Sequence, residues 1–84
     1  MFIFEWNWTL ACIKIIDGIK VYIYARDHNP PHFHINIAEY EELVLINDFS
    51  TYSGGVPKKY RKKVISWAKE NSEFVNKEWE KLNP

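Results

Sequence analysis

Residues 19–37 read IKVYIYARDHNPPHFHINI, two runs of alternating apolar and polar residues on either side of a turn. Alternation with a period of two is typical of β-strands that bury one face. Each proline in the turn fixes its own φ and pushes the preceding residue out of the helical region. The stretch therefore predicts two antiparallel strands, about 19–26 and 32–38, joined by a stiff loop over 27–31.

A five-residue loop predicts a register in which Tyr24 pairs with His34 and Arg26 pairs with His32. Because neighbouring side chains point to opposite faces, a slip of one residue would mix the apolar and polar sets. The core face then holds Val21, Ile23, Ala25, Phe33, Ile35 and Ile37. The opposite face holds Lys20, Tyr22, Tyr24, Arg26, His32, His34 and Asn36.

Before this stretch, aromatic residues alternate over 2–8 and predict an N-terminal strand within 1–17. A change of parity predicts a bulge or break near 9–12. Asp17-Gly18 predicts a hairpin turn, interpreted as a three-residue loop that pairs Ile15 with Ile19. The aromatic strand either covers the core or forms an edge that awaits a partner strand or a second copy of the chain.

After this stretch, a turn over 39–41 leads to an apolar strand at 43–46, and residues 48–56 are interpreted as a loop. Pro57 suits the first position of a helix, and apolar residues follow helical spacing from there to the C-terminus. One long helix over 57–82 is the simplest prediction, and a break at Asn71-Ser72 is the alternative. The predicted fold is α+β: a curled antiparallel meander of four to five strands, with a long C-terminal helix packed on one face.

The chain has 84 residues, balanced charges and a single cysteine, Cys12. This size predicts a single domain over 1–84, and the composition argues against disorder. One cysteine excludes an internal disulfide and fits a reducing compartment. Because no convincing signal peptide or bilayer-length apolar run is present, we expect a soluble, cytoplasmic protein without a membrane partner.

All three histidines fall within 28–34. His32 and His34 are two residues apart on a predicted strand and so project from the same face, with His28 across the turn. Together with the Asp27 carboxylate they could form a tetrahedral site for zinc or another divalent metal. The spacing is suggestive of a metal site without being diagnostic of one.

A second interpretation needs no metal. Tyr24, Arg26, His32 and His34 form a candidate catalytic set, in which two histidines act as general base and acid. Either Arg26 or Lys20 stabilises the charge that builds on a phosphate. Cleavage of RNA through its 2′-hydroxyl could use such a set, with tyrosines stacking on bases. A third interpretation is structural: Asp27 caps the turn, and the histidines bond to backbone carbonyls beside the prolines.

Five of the eleven basic residues crowd the start of the predicted helix. Positive charge there opposes the helix dipole, whereas a bound anion would be favoured by both the dipole and the side chains. A nucleic-acid contact is the functional interpretation, and a solvated helix face is the common alternative. The candidates are Lys58, Lys59, Arg61, Lys62 and Lys63.

From about Ile19 to the C-terminus the chain resembles a family of small bacterial proteins, domain of unknown function 4160. The ordered matches are Ile19-Lys20-Val21-Tyr22, the block over 27–34, Tyr40-Glu41, Gly55-Val56-Pro57, Trp67 and Trp79. The chain departs from the family in its longer aromatic N-terminal strand and in Ala38-Glu39, where the family tends to have glycines.

The resemblance implies a toxin–antitoxin-type gene pair and a small partner protein encoded by a neighbouring gene. It supplies no established catalytic residue, so whether the chain is an enzyme stays open. One hypothesis is a toxin that acts on RNA through the Tyr/Arg/His face. The other is a non-catalytic binding module, such as an antitoxin or partner scaffold, with or without zinc at the histidine turn. An apolar strand edge also allows a homodimer.

Overall fold

The computed structural model describes residues 10–84, and the aromatic strand predicted over 2–8 lies outside them. The described strands form one open antiparallel sheet in chain order, and two helices follow it. The predicted α+β meander is therefore confirmed. The elements are β1 (Leu10–Ile16), β2 (Ile19–Tyr24), β3 (His32–Ile37), β4 (Tyr40–Leu45), β5 (Thr51–Gly55), α1 (Lys58–Glu70) and α2 (Ser72–Leu82).

The hairpin between β1 and β2 has a two-residue turn, so the predicted three-residue loop is wrong. Asp17 and Gly18 have φ values of 49° and 83°, as the tight hairpin turn with two left-handed residues requires. Ile16 consequently pairs with Ile19, and the register shifts between Cys12 and Lys14. This bulge lies at the end of the segment 9–12, where the change of parity predicted it.

The register between β2 and β3 differs from the predicted one by two residues. Tyr22 pairs with His34, and Val21 pairs with Ile35. β2 ends early because Arg26 adopts a left-handed φ of 56°, which makes the connecting loop longer than five residues. A shift of two keeps every side chain on its predicted face. His32 differs from the prediction in its exposure: it was predicted on the polar face, and its side chain is fully buried.

The second half of the sheet contains a strand, β5, where the sequence predicted a loop. Ala38 and Glu39 form a two-residue turn, so β4 begins at Tyr40 and Glu41 is paired with Asn36 instead of lying in a turn. Residues 51–55, interpreted as a loop, form β5 along β4. Glycine has low strand propensity, but backbone pairing with β4 outweighs it here.

The C-terminal segment is two helices, so the break at Asn71-Ser72 is confirmed and the continuous helix over 57–82 is wrong. Asn71 has a non-helical φ of −125°, and its side-chain amide donates to the Trp67 carbonyl at 2.9 Å. Pro57 precedes α1 as its N-cap. Helices and sheet share one core of Ile19, Val21, Ile23, Phe33, Ile35, Val44, Ile46, Val64, Ile65, Ala68, Val75 and Trp79. Within residues 10–84, neither helix has the length and hydropathy needed to cross a bilayer.

Candidate metal centre

The loop between β2 and β3 is held by the end of α2. The Asn83 side chain donates to the Tyr24 carbonyl at 3.0 Å and accepts from the backbone N–H of Asp27 at 2.7 Å. Between them, the Arg26 N–H donates to the Leu82 carbonyl at 3.2 Å. These three bonds fix the backbone from which the Asp27 side chain projects.

Three potential ligand atoms converge beside this loop. Asp27 Oδ2 lies 2.9 Å from His32 Nε2 and 3.3 Å from His34 Nε2. A ligand atom from each of the three residues falls within 4.8 Å of the other two. Adjacent corners of a tetrahedron lie about 3.3 Å apart for zinc–ligand bonds of about 2.05 Å. The donor set therefore fits a small divalent transition-metal ion.

The other ring nitrogen of each histidine faces an oxygen. His32 Nδ1 lies 2.8 Å from the Pro30 carbonyl, and His34 Nδ1 lies 3.1 Å from Glu41 Oε2. His34 has a carboxylate oxygen at each ring nitrogen, Glu41 Oε2 at Nδ1 and Asp27 Oδ2 at Nε2. The Pro30 carbonyl can only accept, so His32 Nδ1 donates, and the tautomer of this ring is assigned from that partner. In this tautomer the lone pair of His32 lies on Nε2, 2.9 Å from Asp27 Oδ2. Metal-ligating histidines are commonly oriented in this way.

His32 Nε2 has the most constrained surroundings of these atoms. The side chain is fully buried, and Nε2 has no hydrogen-bond partner although Asp27 Oδ2 lies 2.9 Å away. A buried polar atom without a partner costs about 1–3 kcal/mol. A nitrogen lone pair and a carboxylate oxygen this close repel each other, and a metal ion bound by both would replace the repulsion with attraction.

Asp27 is held in its anionic form. Burial would raise its pKa, but a hydrogen bond from the His28 N–H at 2.8 Å, a bond with His34 and the nearby His32 together lower it below the ordinary value of 3.8. Metal ions bind the deprotonated carboxylate. The side chain therefore does not need to lose a proton at neutral pH before it can act as a ligand.

Aromatic rings enclose the three ligand candidates. The His28 ring stacks on His32 at a centroid distance of 4.9 Å, and Tyr24 packs 4.5 Å from His34. Tyr52 and Trp79 lie 6.1 Å and 5.4 Å from the His32 ring. His34 and Asp27 keep 12% and 15% of their side-chain surface exposed, so solvent reaches the cluster on their side.

A family model for the domain of unknown function DUF4160 matches residues 18–80. The chain belongs to the DUF4160 family. Comparison with curated proteins and with solved structures gives no match. The resemblance inferred from the sequence is thus confirmed, and the three ligand candidates all lie in the matched region.

Three of the four predicted metal ligands come together in this DUF4160 domain. His28 is the fourth, and its Nε2 lies 3.6 Å from Asp27 Oδ1 instead of joining the convergent set. Its side chain is largely exposed and its ring lies over His32. His28 therefore lies at the rim of the candidate centre.

The predicted catalytic set does not share one open face. Tyr24 and His34 are in contact, but the buried His32 cannot reach a substrate in solution. Arg26 lies beyond the end of β2 and lines a cleft of 510 Å³ with Asn29. Burial raises the pKa of Tyr24, and nearby Glu41, Tyr22 and Asp27 raise it further, so its hydroxyl stays protonated.

The basic side chains predicted at the start of the helix do not all point the same way: one is directed inward and the others lie at the surface. Arg61 turns inward, where Nε donates to Glu42 Oε2 at 2.7 Å and Nη2 donates to the Phe49 carbonyl at 2.6 Å. Lys63 donates to Asp17 at 2.8 Å on the surface. The other candidates, Lys58, Lys59 and Lys62, are exposed.

Sequence reasoning missed Glu41 and Asn83. Glu41 was placed in a turn, whereas a two-residue turn would have put it in β4 on the same face as His34, within reach of that ring. Asn83 contacts the loop across 56 residues of sequence, and no local pattern signals such a contact. Its role emerges only from the docking of α2.

Proposed function

We propose that this DUF4160 protein binds a divalent transition-metal ion, zinc first among the candidates, through Asp27, His32 and His34. The observation that carries the proposal is the buried His32 Nε2, which lies 2.9 Å from the Asp27 carboxylate and has no hydrogen-bond partner. The hydrogen bonds of both Nδ1 atoms to oxygens support it. Three protein ligands leave a coordination position for water or substrate, as in catalytic zinc sites.

A toxin–antitoxin-type module is proposed from the family resemblance, and action of this centre on RNA is proposed from the chemistry of the Tyr/Arg/His residues. A bound zinc ion would polarise a phosphate oxygen and lower the pKa of a bound water to about 7. Asp27 and His32 would hold the ion, and Glu41 would orient the His34 ring. Tyr24, protonated and packed on His34, supplies a neutral donor at the exposed side.

A second candidate function is a non-catalytic binding module that recognises a small partner protein. Leu10 and Ile15 are exposed on β1, which forms one edge of the described sheet. Apolar side chains on a sheet edge favour addition of a strand from another chain. In this case the metal centre would stiffen the loop between β2 and β3 and take no part in chemistry.

Zinc binding is tested by loading purified protein, removing free metal and measuring zinc per chain, followed by titration against a fluorescent chelator. We expect one zinc ion per wild-type chain. His34→Ala should weaken binding by about 100-fold or more, because even residues behind the ligands change metal affinity 10–100-fold. His28→Ala is the matched control, since it removes a histidine from the rim and should retain most of the affinity.

The proposal fails if the wild type holds no more zinc than His34→Ala. It also fails if the two histidine variants lose affinity equally. His34 is preferred to the buried His32 for this experiment because its partial exposure makes loss of the fold a smaller concern. Far-UV circular dichroism of each variant checks that the fold is retained.

The two uses of the centre are separated by induced expression in a bacterial host. If the centre is catalytic, growth should stop on expression of the wild type or His28→Ala and continue on expression of an equally soluble His34→Ala. If arrest is the same with all three proteins, the centre takes no part in toxicity. If none of them arrests growth, the binding-module function is favoured, and co-purification with the neighbour-encoded protein becomes its measurement.

A further inference from the structure

The last turn of α2 contacts two of the three candidate metal ligands. The buried Trp79 ring lies 5.4 Å from the His32 ring, measured between centroids. The backbone N–H of Asn83 donates to the Trp79 carbonyl at 2.8 Å, so the helical turn extends to Asn83. The Asn83 side chain accepts the backbone N–H of Asp27 at 2.7 Å. One turn of helix therefore packs on a ligand from β3 and bonds to a ligand from the preceding loop.

The orientation of the Asn83 amide is fixed by its backbone partners. The N–H of Asp27 can only donate, so it faces Oδ1, and the Tyr24 carbonyl can only accept, so it faces Nδ2 at 3.0 Å. Nδ2 also donates to the Trp79 carbonyl at 3.3 Å. This amide thus joins the end of α2 both to the last residue of β2 and to the residue that carries the carboxylate.

The loop that carries Asp27 has little regular structure of its own. In the part of the chain that the structure describes, residues 25–31 belong to neither a helix nor a strand. His32 and His34 are held by the pairing of β3 with β4. The distances of 2.9 Å and 3.3 Å between their Nε2 atoms and the Asp27 carboxylate depend on where the loop lies. The contacts between the loop and α2 therefore set the geometry of the candidate centre.

We propose that Asn83 is a positioning residue of the metal centre, and that it couples zinc affinity to the docking of the last turn of α2. This inference rests on the proposed zinc binding. Asn83 is not itself a ligand, and it acts through the backbone of Asp27. Such coupling is reciprocal: if the docked turn favours zinc binding, bound zinc favours the docked turn by the same factor. Release of zinc would accordingly loosen the end of α2.

The first test compares two asparagine variants of the full chain by titration of zinc-loaded protein against a fluorescent chelator. Asn83→Ala should weaken zinc binding about 10–100-fold, the range typical of residues that orient ligands. Asn76→Ala is the matched control, because the Asn76 side chain makes the same type of bond within α2, to the Ser72 carbonyl at 2.9 Å, but is exposed. Its zinc affinity should stay within about twofold of the wild type, as is usual for surface substitutions.

Cobalt(II) in place of zinc distinguishes a positioning role from a general loss of stability. The visible absorption bands of cobalt(II) depend on the geometry of its ligands. At saturating cobalt(II), the bands of Asn83→Ala should differ in position or intensity from those of the wild type. The bands of Asn76→Ala should coincide with those of the wild type.

Hydrogen exchange of the wild type tests the coupling without any substitution. Zinc well above its Kd should slow exchange of the Asp27 and Arg26 amides about tenfold or more, because these amides donate to Asn83 and to the Leu82 carbonyl of the docked turn. The Val56 amide donates to a glutamate on the other side of the sheet. It should exchange at the same rate with and without zinc.

Equal zinc affinity of the wild type and Asn83→Ala would overturn the inference and leave the zinc site standing. So would weaker binding by Asn83→Ala with an unchanged cobalt(II) spectrum, which would give Asn83 a structural role only. Exchange of the Asp27 amide that zinc leaves unchanged would also overturn the coupling. Failure of the wild type to bind zinc would overturn the proposed function together with this inference.

Discussion

Arg61→Met should lower the free energy of unfolding by about 3 kcal/mol, because it leaves the buried Glu42 carboxylate without its counterion. Glu42 is 1% exposed and accepts hydrogen bonds from Arg61 Nε at 2.7 Å, Thr51 Oγ1 at 2.6 Å and the Val56 N–H at 3.2 Å. Breaking a buried pair costs about 3–5 kcal/mol, and the partial exposure of Arg61 places this pair at the lower end. Urea denaturation followed by circular dichroism measures the loss.

Two further variants identify the cause. Lys62→Met removes a neighbouring exposed basic side chain and should change stability by less than about 0.5 kcal/mol. Glu42→Gln combined with Arg61→Met removes the buried charge and should recover part of the loss. A loss in Arg61→Met no larger than that in Lys62→Met would contradict the role assigned to the pair.

The same pair makes stability depend on acidity. Burial would raise the pKa of Glu42, but the hydrogen bonds from Thr51, Arg61 and Val56 and the Arg61 charge together lower it below the ordinary value of 4.5. The stabilisation is therefore complete above pH 4.5 and is lost as the pH falls through the lower pKa of the folded state. The difference between the wild type and Arg61→Met should accordingly narrow in acid.

Gly54→Ala should lower the free energy of unfolding by about 2–4 kcal/mol, combining backbone strain with a steric clash. Gly54 has a left-handed φ of 71°, and an added β-carbon would collide with the backbone carbonyl oxygen of Glu41. Backbone atoms cannot move aside as the end of a long side chain can. Zinc affinity should fall as well, because the displaced Glu41 orients His34.

Gly55→Ala is the matched control for this substitution. A β-carbon there meets nothing within 4 Å, so stability and zinc affinity should stay close to those of the wild type. Thermal unfolding and chelator titration measure the two quantities. If the two alanine variants lose the same stability, the contact between residue 54 and the Glu41 carbonyl is not the cause of the loss.

The faces of the central strands were predictable, whereas their register was not. Alternation in β2 and β3 identifies the buried side chains because a pleated strand has a period of two. The register depends on the loop, where Arg26 adopts a left-handed φ that few non-glycine residues take and no pattern signals. The same limit applies to β5, whose Ser53-Gly54-Gly55 segment is typical of a turn and becomes a strand through its neighbour β4.

The candidate site was predictable in its residue types and only partly in its geometry. Clustering of the histidines and the alternation of His32 and His34 were visible in the sequence. The burial of His32 depends on Trp79, far away in the chain, and the exclusion of His28 depends on the path of the loop. Arg61 resembled its lysine neighbours in sequence, and the buried Glu42 gives it a different role.

Glu41 and Glu42 are adjacent on β4, yet one carboxylate serves His34 and the other serves Arg61 on the opposite side of the sheet. Deleting one residue from the Ala38-Glu39 turn would exchange the faces of these two side chains. Loss of one turn residue would thus move Glu41 away from His34 and Glu42 away from Arg61 at the same time. The length of this turn is consequently under tighter constraint than its composition, and sequence variation there should take the form of substitution instead of insertion or loss.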